Sequence, residues 1–252
     1  MLRGLARAGV PSAHLHAFDP RQEHLRALAK EAGFTAHAGI SEAVATADLL
    51  VLAIKPQGFA ELLPSLAALL KPGQAVMSIA AGVPLARLQA ALGAQVPLIR
   101  VMPNTPGLIG QGASAYCLSA AATAQHAQLA EAVLAPLGLV VRVEEAQMDA
   151  VTALSGSGPA YVFLFMEALQ AAGESLGLGP EACYALASQT LAGAAAMILQ
   201  GAKSPAELRT AVTSPGGTTA AALKVFEDGG FRDLVARALR AARDRGVELG
   251  KG

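Results

Sequence analysis

With 252 residues, the chain is long enough for about two ordinary domains, and a fold of this size buries roughly 70–75% of its extended surface, so no metal or disulfide staple is required. Charged residues make up 15%, and 19 basic side chains balance 19 acidic ones to a net charge of +0, which argues against a nucleic-acid partner or a polybasic membrane arm. Although 53% of the residues are hydrophobic, many are alanine, and no window of about eighteen uninterrupted apolar residues occurs, so neither a spanning helix nor a membrane partner is expected.

The opening Met1-Leu2-Arg3-Gly4-Leu5 lacks a basic segment followed by an apolar one, so a secretory leader is not expected. His14 to Phe18 is a candidate strand, after which Asp19-Pro20 supplies an N-cap and a first-turn proline for a helix carrying Leu25, Leu28 and Ala32 to Gly33. Ser41 is expected to cap a short helix. Leu49 to Ile54 is apolar on both faces, as a central parallel strand would be. Lys55-Pro56 stops it, a helix through Phe59, Leu62, Leu63, Leu66 and Leu70 follows, and Pro72-Gly73 turns into a strand at Ala75 to Ile79. Strands are expected at Leu98 to Met102, Ala113 to Leu118 and Leu139 to Val143, with a helix from Ala121 to Leu134. This alternation reads as βαβ, a parallel sheet, to about residue 145. Beyond it the period is helical, broken at Gly177 to Pro180, Gly201 to Pro205, Ser214 to Gly217 and Gly229-Gly230. The division is therefore an α/β domain over 1–145 and an all-helical domain over 146–252. Tyr161 to Leu169 is apolar all round and needs a partner subunit to cover it.

Open parallel sheets bind ligands at the carboxyl ends of their strands. Asp19 ends the first visible strand, where a carboxylate either holds an adenosine ribose or merely caps a helix. Lys55-Pro56 offers an ammonium at a strand end. Ser78 to Gly82 supplies small residues that let a flat ring approach the backbone, and Met102-Pro103-Asn104-Thr105-Pro106 is a loop made rigid by two prolines. Leu154 to Ala160 collects small residues at a helix start. Val212 to Thr219 is the sharper signal: Ser214 as cap, Pro215 in the first turn, and Gly216-Gly217 baring backbone N–H groups to a small carboxylate, with Thr218 and Thr219 adjacent. Ser204-Pro205-Ala206-Glu207 is a capping box and needs no function. The five histidines show no metal spacing, Cys117 and Cys183 lie far apart, and no acid pair or nucleophile elbow occurs. No metal is expected, a reducing cytoplasm fits, and the reactive atom is expected to come from a cofactor.

Leu52 to Pro56, Ser78 to Gly82, Arg100 to Pro106, Met148 to Tyr161, and Leu208 to Thr219 followed by Leu223 occur in an order and spacing that resembles the pyrroline-5-carboxylate reductase family across essentially the whole chain. The resemblance implies a Rossmann-like dinucleotide-binding domain followed by an all-α dimerisation domain, a homodimer or larger ring of dimers, and reduction of 1-pyrroline-5-carboxylate to L-proline with NADPH, NADH being the second choice. It carries Ala53, Ile54, Lys55, Pro56, Ala81 and Asn104 over as cofactor contacts, to which Asp19 is joined. Ser214, Gly216, Gly217, Thr218, Thr219 and Glu145 are carried over as substrate contacts, with Thr219 catalytic through a hydrogen bond to the imine nitrogen.

Two features depart from the family's pattern. Relatives begin with a strand and a G-x-G-x-x-G/A turn that precede anything in this sequence, so the Rossmann-like domain reads as incomplete at its amino end, Met1 reads as an internal start, and a version extended upstream is expected to bind NADPH more tightly. Ile40 stands where relatives often carry Asn. A related imine or hydroxy-acid reductase, or a catalytically silent homologue, remain the alternative readings.

Overall fold

Apolar runs closed by Gly or Pro become strands, and the amphipathic stretches between them become the helices that cover both faces. The computed structural model describes residues 1–201 and 203–251. The elements run α1 (Leu2–Arg7), β1 (His16–Ala17), α2 (Gln22–Ala32), β2 (Thr35–Ala36), α3 (Ile40–Thr46), β3 (Leu49–Leu52), α4 (Phe59–Leu69), β4 (Ala75–Ser78), α5 (Leu85–Leu92), β5 (Leu98–Met102), β6 (Gly112–Leu118), α6 (Ala124–Leu134) and β7 (Gly138–Arg142). Helices follow: α7 (Met148–Val151), a π-helical turn (Thr152–Gly156), α8 (Gly158–Ser175), α9 (Pro180–Leu199), α10 (Pro205–Ala211), α11 (Thr218–Asp228) and α12 (Phe231–Lys251). Two compact units result. One comprises Met1–Ser157 with the C-terminal stretch from Ala241, the other Gly158–Arg240.

In the first unit β1 and β2 form a parallel pair, and β3 to β7 form a five-stranded sheet in sequence order. β3, β4 and β5 run parallel, with Leu52 opposite Ser78 and Ser78 opposite Arg100. β6 is antiparallel to β5, and β7 is parallel to β6. The fully parallel expectation fails between β5 and β6 because their link, built around a 3-10 turn at Thr105–Ile109, is too short for a crossover. Every residue of β4 is buried. Val76 faces a core shared with Phe59, Leu63, Leu66 and Leu88, while Met77 faces Tyr116, Ala130 and Leu134 on the opposite side. The strand expected to be central, at Leu49 to Ile54, ends at Leu52 and stands at the edge of the sheet, alternately buried and half-buried. An apolar run reads alike at an edge covered by helices and at the centre.

Helix starts also differ from expectation. The cap of α2 is Arg21, and Asp19 instead accepts the Arg21 backbone N–H at 2.8 Å, so Pro20 lies outside the helix. Gly39 precedes α3, which places Ser41 inside it. His14 sits in a 3-10 turn, leaving only two residues to the first strand.

In the second unit α8 packs along α9, yet Val162, Phe163 and Leu164 are 51%, 60% and 66% exposed. The all-round apolar character read from the sequence therefore leaves an uncovered surface on the protomer. By length and mean hydropathy (1.5) α9 would also suit a membrane, although Ser188 and Gln189 interrupt its apolar run. Its Ala, Gly and Ser residues equally suit close helix packing.

Candidate active site

Parallel pairing of β3, β4 and β5 in matched register brings Ala53–Pro56, Ile79–Gly82 and Pro103-Asn104 to one edge of the sheet. Of the expected cofactor residues, Ala53, Ile54, Lys55, Pro56, Ala81 and Asn104 thus share that edge. Ala53, Ile54 and Lys55 are exposed. Lys55 makes no ion pair among the described residues, so its ammonium is free to meet a phosphate or a ribose hydroxyl. Ser78 is buried and its Oγ accepts the Ala80 N–H at 3.3 Å, shaping a turn in which only small side chains flank the backbone. This edge fits a flat ring with a phosphorylated tail: small residues where the ring would lie, and an unpaired cation beside them.

Asn104 has a second task. Its Oδ1 accepts the Ala113 N–H at 2.9 Å and its Nδ2 donates to the Ser155 carbonyl at 3.2 Å, tying the loop after β5 to the start of β6 and to the π-helical turn. A Cβ on Gly156 would meet the end of the Met102 side chain, which would have to swing aside, so the turn lies close against the strand end. One N–H and one lone pair of the Asn104 amide remain for a ligand. The wider turn is not legible in the sequence, because Thr152–Gly156 is too short a segment to show an apolar period of its own.

Behind the edge, the buried Arg100 guanidinium reaches Glu145 Oε1 at 3.4 Å and Asp149 Oδ1 at 3.2 Å. The same Glu145 oxygen accepts the Leu85 N–H at 2.6 Å, where α5 begins. Glu145, expected to touch substrate, therefore has one oxygen engaged within the first unit. Cys117, on the neighbouring strand, is 2% exposed, and burial together with Glu145 pushes its thiol up to about 11.

Asp19 lies just beyond β1. Its carboxylate accepts from Arg21 Nε at 3.1 Å and Nη2 at 3.0 Å, and these hydrogen bonds hold it below the usual carboxylate range. The histidines lack metal spacing in the sequence, yet His16 Nδ1 and His37 Nε2 lie 3.0 Å apart beside this loop. Their only trace in the sequence is that each sits at or just after a short strand.

In the second unit, the segment from Ser214 to Gly217 forms a tight turn ahead of α11. The Gly217 N–H donates to the Ser214 carbonyl at 3.1 Å, and Gly216 adopts a left-handed conformation (φ 71°). Gly217, rather than Ser214, is the helix cap, and Thr218 rather than Pro215 begins the helix. A left-handed residue cannot continue into a helix, so α11 starts beyond it. No side-chain hydrogen bond caps α11, which leaves its first-turn N–H groups for an anion, and Thr219 is half-buried at their side.

The fold and these strand ends define a Rossmann-like oxidoreductase that uses a nicotinamide dinucleotide: residues 1–82 match the family described as NADP oxidoreductase coenzyme F420-dependent. Residues 145–249 match the family described as pyrroline-5-carboxylate reductase dimerisation. A pyrroline-5-carboxylate reductase of Pseudomonas aeruginosa is 47% identical over 250 residues, covering 99% of this chain and 92% of that protein. The structure of a pyrroline-5-carboxylate reductase from Coxiella burnetii matches with a TM-score of 0.94 at 37% identity, over 100% of this chain and 94% of that one. A Plasmodium falciparum pyrroline carboxylate reductase with NADP bound matches at 0.89 and 29% identity, over 99% and 92%. The chain belongs to the pyrroline-5-carboxylate reductase family.

Proposed function

We propose that this protein reduces 1-pyrroline-5-carboxylate to L-proline with NAD(P)H, the last step of proline biosynthesis, and that it works in the cytoplasm as a homodimer or a larger ring of dimers. The observation that carries the reading is 47% identity, over nearly the full length of both chains, to an enzyme of that name. The uncovered apolar surface of α8 supports self-association, with 1–145 as the cofactor domain and 146–252 as the helical one.

The nicotinamide cofactor supplies the hydride. Ala81 and the remaining N–H and lone pair of Asn104 would place its ring, Ala53 to Pro56 with Lys55 would hold its phosphorylated part, and Asp19 would meet the adenosine ribose. The turn from Ser214 to Gly217 and the first-turn N–H groups of α11, from Thr218 on, receive the substrate carboxylate. Thr219 donates a hydrogen bond to the imine nitrogen. Hydride adds to the imine carbon, the C=N π pair becomes the nitrogen lone pair, and one proton from water completes the amine. Because a cyclic imine is readily protonated, positioning supplies most of the acceleration and no tuned carboxylate is required. Glu145 is proposed as a positioning residue, since its oxygen holds Arg100 and the start of α5. Oxidation of NADPH that depends on pyrroline-5-carboxylate is the expected result in a purified assay. Oxidation dependent instead on a 2-oxo acid, or none with any imine, would overturn the proposal.

A further inference from the structure

The turn that follows β4 has two hydrogen-bonded ends and a middle held by packing. At its start Ser78 Oγ accepts the Ala80 N–H at 3.3 Å, and at its end Glu145 Oε1 accepts the Leu85 N–H at 2.6 Å. Between them Ala80, Gly82 and Val83 are buried and Ala81 is half-buried, so Ala81 is the residue that this turn presents. Gly82 adopts a left-handed conformation (φ 73°), which favours glycine.

The middle rests on the end of α12, which belongs to the same compact unit. A Cβ on Gly82 would lie 3.0 Å from Leu249 Cβ, and a Cβ on Gly250 would lie 3.0 Å from the Gly82 carbonyl oxygen. Helix and turn therefore meet with no flexible side chain between them to absorb a displacement. About one helical turn earlier, Gly246 is buried against Asp149, where a Cβ would lie at ordinary contact, 3.6 Å from Oδ1 and 3.7 Å from Cβ. Asp149 in turn pairs with the buried Arg100. The end of α12 is thus docked at two points, so a push applied at Gly250 is passed to the turn.

We propose that Leu249 and Gly250 are positioning residues for hydride transfer: they fix the Ala81–Gly82 turn and, through it, the nicotinamide ring. This rests on the placement of the ring at Ala81 given above. A Cβ at Gly250 forces its neighbour to give by a few tenths of an ångström. Misplacing reacting groups by about 1 Å costs roughly a hundredfold in rate, so that smaller shift costs roughly three- to tenfold.

The test compares Gly250→Ala with Gly246→Ala in the full chain, since both put alanine for glycine in one helix and only the first presses on Gly82. Gly250→Val extends the first. Gly250→Ala should lower kcat for NADPH oxidation with pyrroline-5-carboxylate by roughly three- to tenfold, Gly250→Val by more, and both should shift the nicotinamide emission of bound NADPH. Affinity for adenosine 2′,5′-bisphosphate, which lacks the ring, should match wild type; a general disturbance of the fold would lower it too. Gly246→Ala should match wild type in kcat, emission and affinity. Wild-type kcat and emission in both Gly250 variants, an equal loss in Gly246→Ala, or a parallel loss of bisphosphate affinity overturns the inference. If the wild-type chain binds NADPH but does not reduce pyrroline-5-carboxylate, the proposed activity falls, and the emission of bound NADPH still decides the inference. If NADPH does not bind, the inference falls with the placement of its ring.

Discussion

The buried Arg100 cluster permits a stability cycle whose sign is fixed by electrostatics. Replacing Glu145 and Asp149 together by Ala leaves a guanidinium that is only 5% exposed with no carboxylate partner, and also frees the Leu85 N–H. Stranding a buried charge costs about 3–5 kcal/mol, and the orphaned N–H adds about 1–3 kcal/mol. Adding Arg100→Met to that double variant removes the stranded charge while keeping most of the side-chain volume, so it should restore most of the first cost and leave the second. The assay is urea unfolding at fixed protomer concentration, because self-association contributes to apparent stability. A triple variant no more stable than the double variant would refute the reading of these carboxylates as partners of a buried charge. Glu145→Gln separates positioning from substrate contact: a positioning role predicts lowered stability with little change in KM.

Thr219→Ala should lower kcat/KM by roughly ten- to a thousandfold, about 1.4–4 kcal/mol, with Thr219→Ser milder; an alanine variant equal to wild type would remove the hydroxyl from the reaction. Asp19→Ser takes a carboxylate from the ribose site and releases Arg21 from its ion pair, so the preference for NADPH over NADH should rise by roughly tenfold, and an unchanged ratio of specificity constants would take Asp19 out of that site. Burial raises the folded-state pKa of Cys117 to about 11, so its contribution to stability is intact below the ordinary thiol value of 9.0 and is lost as pH rises from there towards 11. The loss is at most about 3 kcal/mol, and Cys117→Ala should flatten that part of the alkaline stability profile while leaving the part due to Tyr116, whose hydroxyl is pushed up to about 12 by burial and Glu131.

The strand from Leu98 to Met102 and the capping box at Ser204 were legible residue by residue, since each depends on a local pattern of side chains. The direction of β6 was not, because it is set by the length of a connection rather than by the residues of either strand. Among the site residues, the strand ends at Lys55, Ala81 and Asn104 could be placed from the rule that ligands meet carboxyl ends. The double anchoring of Asn104, to Ala113 and to Ser155, could not, since it joins residues far apart in sequence. The same holds for Arg100 with Glu145, and for His16 with His37. At Ser214, residue preference pointed to a cap, but the left-handed Gly216 moves the helix start to Thr218.

The most direct measurement of the central claim is the fate of the hydride. Incubation of the protein with pyrroline-5-carboxylate and NADPH deuterated on the transferring face of C4 should yield L-proline carrying one deuterium in place of hydrogen, with the label on the ring carbon beside nitrogen that does not bear the carboxylate. Unlabelled proline, or deuterium on the carbon that bears the carboxylate, would contradict the account.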